Sequence, residues 1–379
     1  MTIDDPAADD REAEARAVPV VPLAEASERC GAKARNLGAL LRAGFRVPDG
    51  FVIPDPLGNS GWEREVEAGL RRLGPGPFAV RSSALAEDGI EYSFAGQLAT
   101  TLGVTTTAEV IEAVRRSASS ASSTEAVAYA ARTDREAPTS GGVIVQVMAQ
   151  PAAAGVLFTR HPVTEAEQVV IEAARGLGEA VVAGTVTSEA YLVDGAQVRV
   201  VRHRDRQLLT TAQARALAAL GRDIETLFGR PQDIEWAIDS DDIWVLQARP
   251  ITTAHATAPP VRATPGEVVL TGVAASPGTA VGPARIIDNL DDFAGFRDDD
   301  VLVCRTTSPA WTPLLARACA VVTETGGLLA HAAIVAREFG IPAVLAAAGA
   351  RTTLAEGGLV FVDGTHGRVG VVNENAGRT

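Results

Sequence analysis

Residues 323–344 read TETGGLLAHAAIVAREFGIPAV, and this stretch decides the fold of the C-terminal part of the chain. Two consecutive glycines, Gly326 and Gly327, precede His331 and a run with helical periodicity. Glycine lets the backbone adopt conformations closed to other residues and approach a ligand closely. The pattern predicts a turn followed by a helix that holds His331 in its first turn. The helix should end near Gly340, because the proline two residues later cannot continue it.

A histidine at the start of a helix has a definite chemistry open to it. The free backbone amides there, together with the positive end of the helix dipole, favour a bound phosphate. An imidazole held at that point can act as a nucleophile toward phosphorus and keep the phosphoryl group afterwards. The alternative is an ordinary turn with a structural histidine, because short glycine motifs also occur by chance.

The whole of residues 323–344 resembles the phosphohistidine segment of the phosphoenolpyruvate-utilising enzymes. That family includes pyruvate phosphate dikinase, phosphoenolpyruvate synthase and rifampicin phosphotransferase. The resemblance implies that His331 is the residue that becomes phosphorylated. The family usually has serine or threonine just before this histidine, whereas this chain has Ala330, so a hydroxyl that could contact the phosphoryl group is absent there. The remaining histidines are interpreted as non-catalytic: His161, His203, His255 and His366.

Composition narrows the class of protein. The 379 residues carry a net charge of −13 and are 46% hydrophobic, which predicts two or three domains with apolar cores. The negative charge argues against nucleic acid as a partner. No apolar run approaches the ~20 residues of a membrane span, and the acidic N-terminus is unlike a signal peptide. Three cysteines without metal-binding spacing fit a reducing compartment. We therefore expect a cytoplasmic protein that binds neither membrane nor nucleic acid.

Two cationic side chains in the N-terminal half are candidates for phosphate binding. Lys33 follows Gly31 in a loop of small residues before a helix, and a lysine there can bind phosphate as a point charge. The alternative is a solvated surface lysine. Arg81 ends a predicted strand beside two serines, and its guanidinium can bridge phosphate oxygens with two hydrogen bonds. The alternative for Arg81 is an ion pair with Glu87 or Asp88.

The segments QDIEWAI at residues 232–238 and IWVLQARP at residues 243–250 predict two paired strands. On such strands Glu235 and Gln247 can face the same cavity and offer oxygens to Mg²⁺. Arg249 lies two residues beyond Gln247 and therefore shares its strand face. A carboxylate and an arginine near one metal–phosphate centre suit phosphoryl transfer. The alternative is an exposed amphipathic hairpin.

The motifs between residues 20 and 253 together resemble the ATP-grasp-like nucleotide-binding domain that precedes the phosphohistidine domain in dikinases. The resemblance implies ATP as the phosphoryl donor and Mg²⁺ as the cofactor. It also implies roles for particular side chains. Lys33, Arg81 and Arg249 would bind the ATP phosphates, Gln146 and Met148 would flank the adenine, Glu172 would reach the ribose, and Glu235 and Gln247 would hold Mg²⁺.

We therefore predict an α/β (α+β) protein, with an ATP-grasp-like nucleotide-binding domain followed by a swivelling β/β/α phosphohistidine domain. Buried strands are predicted at residues 143–148, 169–172 and 243–247, and a helix at 108–117. The predicted organisation is a disordered acidic tail at 1–17, the nucleotide-binding domain at 18–253, a linker at 254–265 and the phosphohistidine domain at 266–375. The tail has few apolar residues to bury, and the linker is rich in alanine, threonine and proline.

The expected reaction is a dikinase-type phosphotransfer. His331 takes phosphate from the β position of ATP, AMP and phosphate leave, and the phosphoryl group passes to a small-molecule acceptor. The linker is expected to let the histidine swing between sites. No acceptor-binding module of the family is recognisable, so we do not expect this chain alone to convert pyruvate. Two alternatives stay open: a phosphorylating subunit whose acceptor is presented by a separate protein, and a non-catalytic ATP-binding phosphocarrier.

Overall fold

The computed structural model describes residues 20–83, 100–120, 141–178, 188–202, 207–240, 242–251, 267–328 and 330–372. These residues form two compact units, the first ending at residue 149 and the second beginning at residue 150. Both units combine helices with β-sheet, which confirms the predicted α/β class. The predicted tail at 1–17 and linker at 254–265 lie outside the described residues, so the predicted domain boundaries stay predictions.

Seven α-helices are present in the described ranges. They are α1 (Ala32–Arg42), α2 (Trp62–Leu73), α3 (Thr107–Ser119), α4 (Thr211–Phe228), α5 (Thr312–Leu315), α6 (His331–Phe339) and α7 (Ala350–Thr353). The predicted helix at 108–117 is α3. Both α3 and α4 begin with a capping box, in which a threonine and the glutamate or glutamine three residues later satisfy each other's backbone amides. Their starts are therefore encoded locally. No described helix is both long and apolar enough to cross a membrane.

The first unit is built on a five-stranded antiparallel sheet with the order β1-β2-β5-β3-β4. Its strands are β1 (Val21–Pro22), β2 (Gly50–Pro54), β3 (Phe78–Ser83), β4 (Thr100–Val104) and β5 (Gly142–Val147). Alternate residues of β2, β3 and β5 form one apolar core with α2 and α3. The predicted buried strand at 143–148 is β5.

The second unit begins with a six-stranded antiparallel sheet in the order β11-β10-β6-β7-β8-β9. Its strands are β6 (Ala153–Phe158), β7 (Val169–Arg175), β8 (Glu189–Asp194), β9 (Gln197–Arg202), β10 (Gln232–Asp239) and β11 (Asp242–Pro250). α4 covers one face of the sheet, where a Cβ added at Gly221 would lie 2.7 Å from the Leu157 side chain. Because side chains alternate along a strand, Val156 and Phe158 point to the opposite face.

The remainder of the second unit, which we call the histidine domain (267–372), contains an eight-stranded sheet in the order β12-β19-β18-β14-β15-β16-β17-β13. Strands β14 to β17 run parallel to one another, and the other pairs are antiparallel. The strands are β12 (Glu267–Thr271), β13 (Val273–Ser276), β14 (Thr279–Ile286), β15 (Val301–Cys304), β16 (Ala320–Thr323), β17 (Ala343–Leu345), β18 (Leu359–Asp363) and β19 (Arg368–Val371).

The parallel part of this sheet is buried on both faces, which explains its nearly continuous apolar strands. Leu302 and Val321 pack into the layer that contains α6, whereas Val301 and Val322 pack into the layer on the other side. α6 connects β16 to β17 and ends at Phe339. Gly340 then takes a left-handed conformation with φ 67°. The helix predicted to begin by His331 and end near Gly340 is thereby confirmed.

Candidate functional site

His331 is the first residue of α6 and follows the glycine turn, which we define as Gly326, Gly327 and Leu328. Gly326 has φ 115°, a conformation that side chains with a Cβ rarely adopt. Ala330 is the N-cap of α6, and its methyl group cannot accept a hydrogen bond from the helix. The turn therefore leads into a helix start whose amides no N-cap side chain satisfies.

The imidazole of His331 lies between two threonine hydroxyls. Oγ1 of Thr307 is 2.9 Å from Nδ1, and Oγ1 of Thr312 is 3.4 Å from Nε2. All three side chains are buried. Burial lowers the pKa of His331 to about 3, because the imidazolium would lose its hydration. The ring is therefore neutral at pH 7, and one of its nitrogens keeps the lone pair that attack on phosphorus requires.

Sequence reasoning missed both threonines. Thr307 lies in the loop after β15 and Thr312 begins α5, so neither belongs to the quoted stretch around His331. A signal existed in the strand pattern. β15 and β16 are parallel neighbours, so the loop after β15 meets the glycine turn after β16 at the same edge of the sheet. Ala330 offers no hydroxyl to the ring, but the loop after β15 and the start of α5 each place one beside it.

Strands β10 and β11 place four polar residues on one face of the six-stranded sheet. Glu235 is directly opposite Gln247, and Asp233 is directly opposite Arg249. Nε and Nη2 of Arg249 each lie 2.9 Å from Oδ2 of Asp233, and this ion pair is buried. Burial raises the pKa of Asp233, and the Arg249 charge opposes that rise. The pairing confirms the common face predicted for Glu235, Gln247 and Arg249. It also places Asp233 on this face, a residue that sequence reasoning missed. Asp233 lies two residues before Glu235, so alternation along the strand would have indicated it.

The same face continues onto β6 and β7. Glu235 is opposite Val156, and Val156 is opposite Glu172 on the next strand. Gln247, Glu235, Val156 and Glu172 therefore form one row across four strands, on the side of the sheet away from α4. The residues predicted to hold Mg²⁺ and the residue predicted to reach the ribose share this row.

The donor chemistry of this row fits a magnesium ion. Glu235 offers a carboxylate and Gln247 an amide oxygen, and Asp233 adds a second carboxylate on the same face. Mg²⁺ in phosphoryl-transfer sites is typically bound by one or two carboxylates plus the phosphates of the substrate. Within the described ranges no group of three or more His, Cys, Asp or Glu residues is arranged as a protein-only metal site.

The glycine turn contacts this row directly. The backbone amide of Leu328 donates a hydrogen bond to Oε1 of Glu172 at 3.0 Å. A Cβ at Gly327 would overlap the Glu172 carboxylate, so a larger residue there would have to shift the Glu172 side chain. The Leu328 side chain is buried against an apolar patch of the sheet made by Val156, Phe158 and Val170.

Arg337 on α6 also reaches the six-stranded sheet. Its Cζ lies 5.8 Å from the centre of the Phe158 ring, and Nη1 donates to the carbonyl of Ala275 at 2.9 Å. Burial lowers the pKa of Arg337 to about 10, so the guanidinium remains charged at pH 7. This buried cation belongs to the stretch quoted first, but sequence reasoning gave it no role.

In the first unit, the predicted position of Lys33 was wrong. Lys33 lies inside the first turn of α1, and its side chain is buried, which also argues against a solvated surface lysine. The helix starts early because Ser83 Oγ accepts from the amide of Ala34 at 3.0 Å, which satisfies a helix-start amide from β3. A Cβ at Gly31 would overlap the carbonyl of Ser83. The start of α1 is therefore held against the strand that carries Arg81.

The residues predicted to flank adenine are held at the end of β5. Nε2 of Gln146 donates to the carbonyl of Pro48 at 2.8 Å, and the amide of Met148 donates to the carbonyl of Pro77 at 2.9 Å. These bonds fix the orientation of both residues within the first unit. Their contact with adenine stays a prediction.

The other histidines have structural surroundings where they are described. Nδ1 of His161 accepts from the amides of Val163 and Thr164, which closes a turn. Nδ1 of His366 lies 2.8 Å from the Asp363 carboxylate on an exposed turn. Four residues considered from sequence lie outside the described residues: Glu87, Asp88, His203 and His255.

Two family models match this chain. The model for the pyruvate phosphate dikinase AMP/ATP-binding domain matches residues 62–207 and 196–264, and the model for the mobile domain of PEP-utilising enzymes matches residues 296–367. The chain belongs to the phosphoenolpyruvate-utilising enzymes. The predicted family, one of phosphotransferases, is confirmed. The nucleotide-binding match precedes the histidine-containing match, as the resemblance implied.

Relatives in this family are longer than the matched part. The chain is 33% identical to a probable phosphoenolpyruvate synthase of Archaeoglobus fulgidus, over 93% of this chain and 58% of that protein. It is 38% identical to the phosphoenolpyruvate synthase of Pyrococcus furiosus, over 77% of this chain and 40% of that protein. The chain thus spans about half the length of these relatives.

The sequence identity to the solved structure described next is lower than the identity to these relatives. D-alanine–D-alanine ligase from Bacillus anthracis complexed with ATP gives a TM-score of 0.32 at 9% identity, covering 65% of this chain and 62% of that chain. A similarity of this size carries no argument about the site.

Proposed function

We propose that the chain is an ATP-dependent phosphotransferase of the dikinase type that uses His331 as its phosphoryl carrier. The observation that carries the proposal is a buried, neutral imidazole at the start of α6, directly after the glycine turn and with a threonine hydroxyl at each ring nitrogen. The matches to an AMP/ATP-binding domain and to a mobile domain support it.

The donor is ATP, and the proposed binding roles follow the family resemblance. Lys33, Arg81 and Arg249 bind phosphates, Gln146 and Met148 flank the adenine, and Glu172 contacts the ribose. Glu235 and Gln247 hold Mg²⁺, which when bound offsets negative charge on the phosphates. Asp233 orients the Arg249 guanidinium through their buried ion pair and keeps it aimed along the sheet face.

His331 attacks through Nε2. Thr307 is the closer hydroxyl, 2.9 Å from Nδ1. In the proposed tautomer Nδ1 carries the single ring proton and donates it in a hydrogen bond to this hydroxyl, which leaves the lone pair on Nε2. A bond forms between Nε2 and the β-phosphorus of ATP, and the bond from that phosphorus to the α-phosphate oxygen breaks, so AMP leaves with the oxygen. Water then removes the γ-phosphate, and the β-phosphoryl group stays on the ring.

The helix start stabilises the group that the ring receives. The backbone amides at the start of α6 and the positive end of its dipole favour the phosphoryl oxygens. Thr312, whose hydroxyl is 3.4 Å from Nε2, turns from the nitrogen to a phosphoryl oxygen once the new bond forms. The carrier then passes the phosphoryl group to a small-molecule acceptor.

Labelled ATP tests the proposal. With Mg²⁺ and ATP labelled at the β-phosphorus, the protein should gain label that is acid-labile and base-stable, and chromatography should show AMP and free phosphate. ATP labelled at the γ-phosphorus should give labelled free phosphate only. His331→Ala should reduce protein label at least ~10³-fold, because the nucleophile itself is removed, whereas His366→Ala should keep it. Stoichiometric ADP without AMP would contradict the dikinase mechanism.

The fate of the label separates the remaining alternatives. Discharge to a metabolite pool, seen by mass spectrometry as a new phosphorylated compound, identifies a small-molecule acceptor. Discharge only in the presence of a second protein indicates a phosphorylating subunit whose acceptor is presented by that protein. Label that forms and never discharges indicates a phosphocarrier without its own transferase activity.

A further inference from the structure

We propose that Glu172 occupies the glycine turn in place of an anionic ligand. Docking of this turn on the sheet and binding of nucleotide at Glu172 therefore exclude one another. We call the hydrogen bond from Leu328 to Glu172, with the packing around it, the Glu172 contact. The nucleotide half of this inference rests on the proposed function, because Glu172 is the residue assigned there to the ribose.

The first argument is the chemistry of the partner. The amide of Leu328 belongs to the turn that leads into α6, a position where backbone amides favour an anion. The group that fills this position is a carboxylate, with Oε1 of Glu172 3.0 Å from the Leu328 nitrogen. A carboxylate oxygen and a phosphoryl oxygen present the same acceptor and the same sign of charge. Glu172 therefore takes the place that an anionic ligand of the turn would take.

The second argument is space. A Cβ at Gly327 would overlap the Glu172 carboxylate, so the turn and the acid are in close contact. Leu328 is 6% exposed and is packed on Val156, Phe158 and Val170. A nucleotide that reaches Glu172 must displace the turn from this patch.

The third argument concerns the nucleophile. In the docked arrangement His331 is only 4% exposed, so the ring is shielded from solvent and from unintended electrophiles. Nucleotide bound at Glu172 releases the turn, and with it the start of α6 at His331. Because docking and nucleotide binding compete, a change that weakens docking strengthens nucleotide binding by at most the same factor. The docked form is thus a resting state, and binding of the ATP donor at Glu172 ends it.

Exchange of the Leu328 amide hydrogen, read by NMR, reports the contact directly. We expect a protected amide in the unmodified protein and at least ~10-fold faster exchange in Gly327→Ala, whose methyl group overlaps the acid. The matched control is Gly295→Ala, where an added Cβ meets no atom within 4 Å. Glu172→Ala should also speed exchange, and adding Gly327→Ala to it should change little, because the two residues act on one contact. If the two substitutions instead increased the exchange rate independently, so that their effects multiplied in the double variant, the proposed Glu172 contact would be wrong.

The nucleotide arm uses a non-hydrolysable ATP analogue with Mg²⁺ and calorimetry. Saturating analogue should speed exchange of the Leu328 amide at least ~10-fold, and Leu328→Ala should bind the analogue several-fold more tightly, as reciprocity requires. Analogue that binds while the Leu328 amide stays protected would overturn the exclusion. No binding of the analogue would refute both the proposed function and the nucleotide half of this inference, while the amide exchange of the variants still decides the Glu172 contact.

Discussion

Two regions of the molecule differ in the charge that they bury. One is the glycine turn with His331, and the other is the β10–β11 hairpin. His331 is kept neutral by burial, with hydroxyls at both ring nitrogens. The hairpin buries an ion pair, in which the Asp233 carboxylate holds the Arg249 guanidinium through two contacts of 2.9 Å. The proposed nucleophile must keep a lone pair, whereas the proposed phosphate-binding face must keep its positive charge. Burial alone serves the first requirement, and burial with pairing serves the second.

The largest effect that separates the two regions should come from breaking the ion pair. Arg249→Met leaves Asp233 buried without its countercharge, so we expect the free energy of unfolding to fall by about 3–5 kcal/mol. Urea unfolding measures this directly. The double variant Asp233→Asn with Arg249→Met removes both charges and should recover much of the loss. Equal losses in the single and double variants would show that packing rather than charge pairing is responsible.

The next effect concerns transfer rather than stability. Glu235→Ala and Gln247→Ala should each slow Mg²⁺–ATP-dependent phosphorylation of His331 at least ~10²-fold, the scale of losing one group that stabilises the transition state. The hairpin supplies a matched control in Asp239→Asn, because Asp239 lies at its far end opposite Asp242. Initial rates of label incorporation are the measurement. Near-normal rates in both variants would remove this pair from the metal site.

A smaller effect tests the hydroxyls around the ring. Thr307→Val and Thr312→Val keep the side-chain shape but leave a buried ring nitrogen without its hydroxyl, which should slow phosphorylation about 10-fold. Ala330→Ser restores a hydroxyl at the position where the family usually has one. It should rescue Thr312→Val, whose lost hydroxyl lies near Nε2, the nitrogen proposed to attack, and not Thr307→Val. Rescue of both, or of neither, would contradict separate roles for the two hydroxyls.

Local features of both regions could be predicted from the sequence. The turn, α6 and its end at Gly340 follow from local backbone preferences, so the pattern of residues 323–344 predicted them correctly. The common face of Glu235 and Gln247 follows from alternation along two adjacent strands, and it too was predicted correctly, whereas their direct pairing comes from the structure. Both features depend on residues close in sequence, where propensity and periodicity carry most of the information.

Contacts between distant segments were not predictable in the same way. Thr307 reaches His331 only because β15 and β16 lie side by side, and Leu328 reaches Glu172 only because the turn packs on another sheet. Lys33 was placed in a loop, whereas Ser83 extends α1 to include it by satisfying a helix-start amide. In each case a side chain from another strand or loop decides the outcome, and no local pattern encodes that partner.

The smallest expected effect is on the pH dependence of the free energy of unfolding. It distinguishes the neutral His331 from the ion pair of the hairpin. Burial lowers the pKa of His331 from 6.5 to about 3, so between these values the unfolded chain binds a proton that the folded protein does not. Stability contributed by the neutral ring is therefore present above about pH 6.5 and is lost as the pH falls. Relative to His331→Gln, the unmodified protein should lose about 1 kcal/mol between pH 6.5 and 5.5, since one proton is worth at most about 1.4 kcal/mol per pH unit. Urea unfolding of both proteins at pH 7.5, 6.5 and 5.5 gives the difference. The subtraction cancels the titration of Asp233, because that carboxyl is present in both. Equal slopes would show that the folded protein protonates His331 in this range, and the imidazole would then not be held ready as a neutral nucleophile.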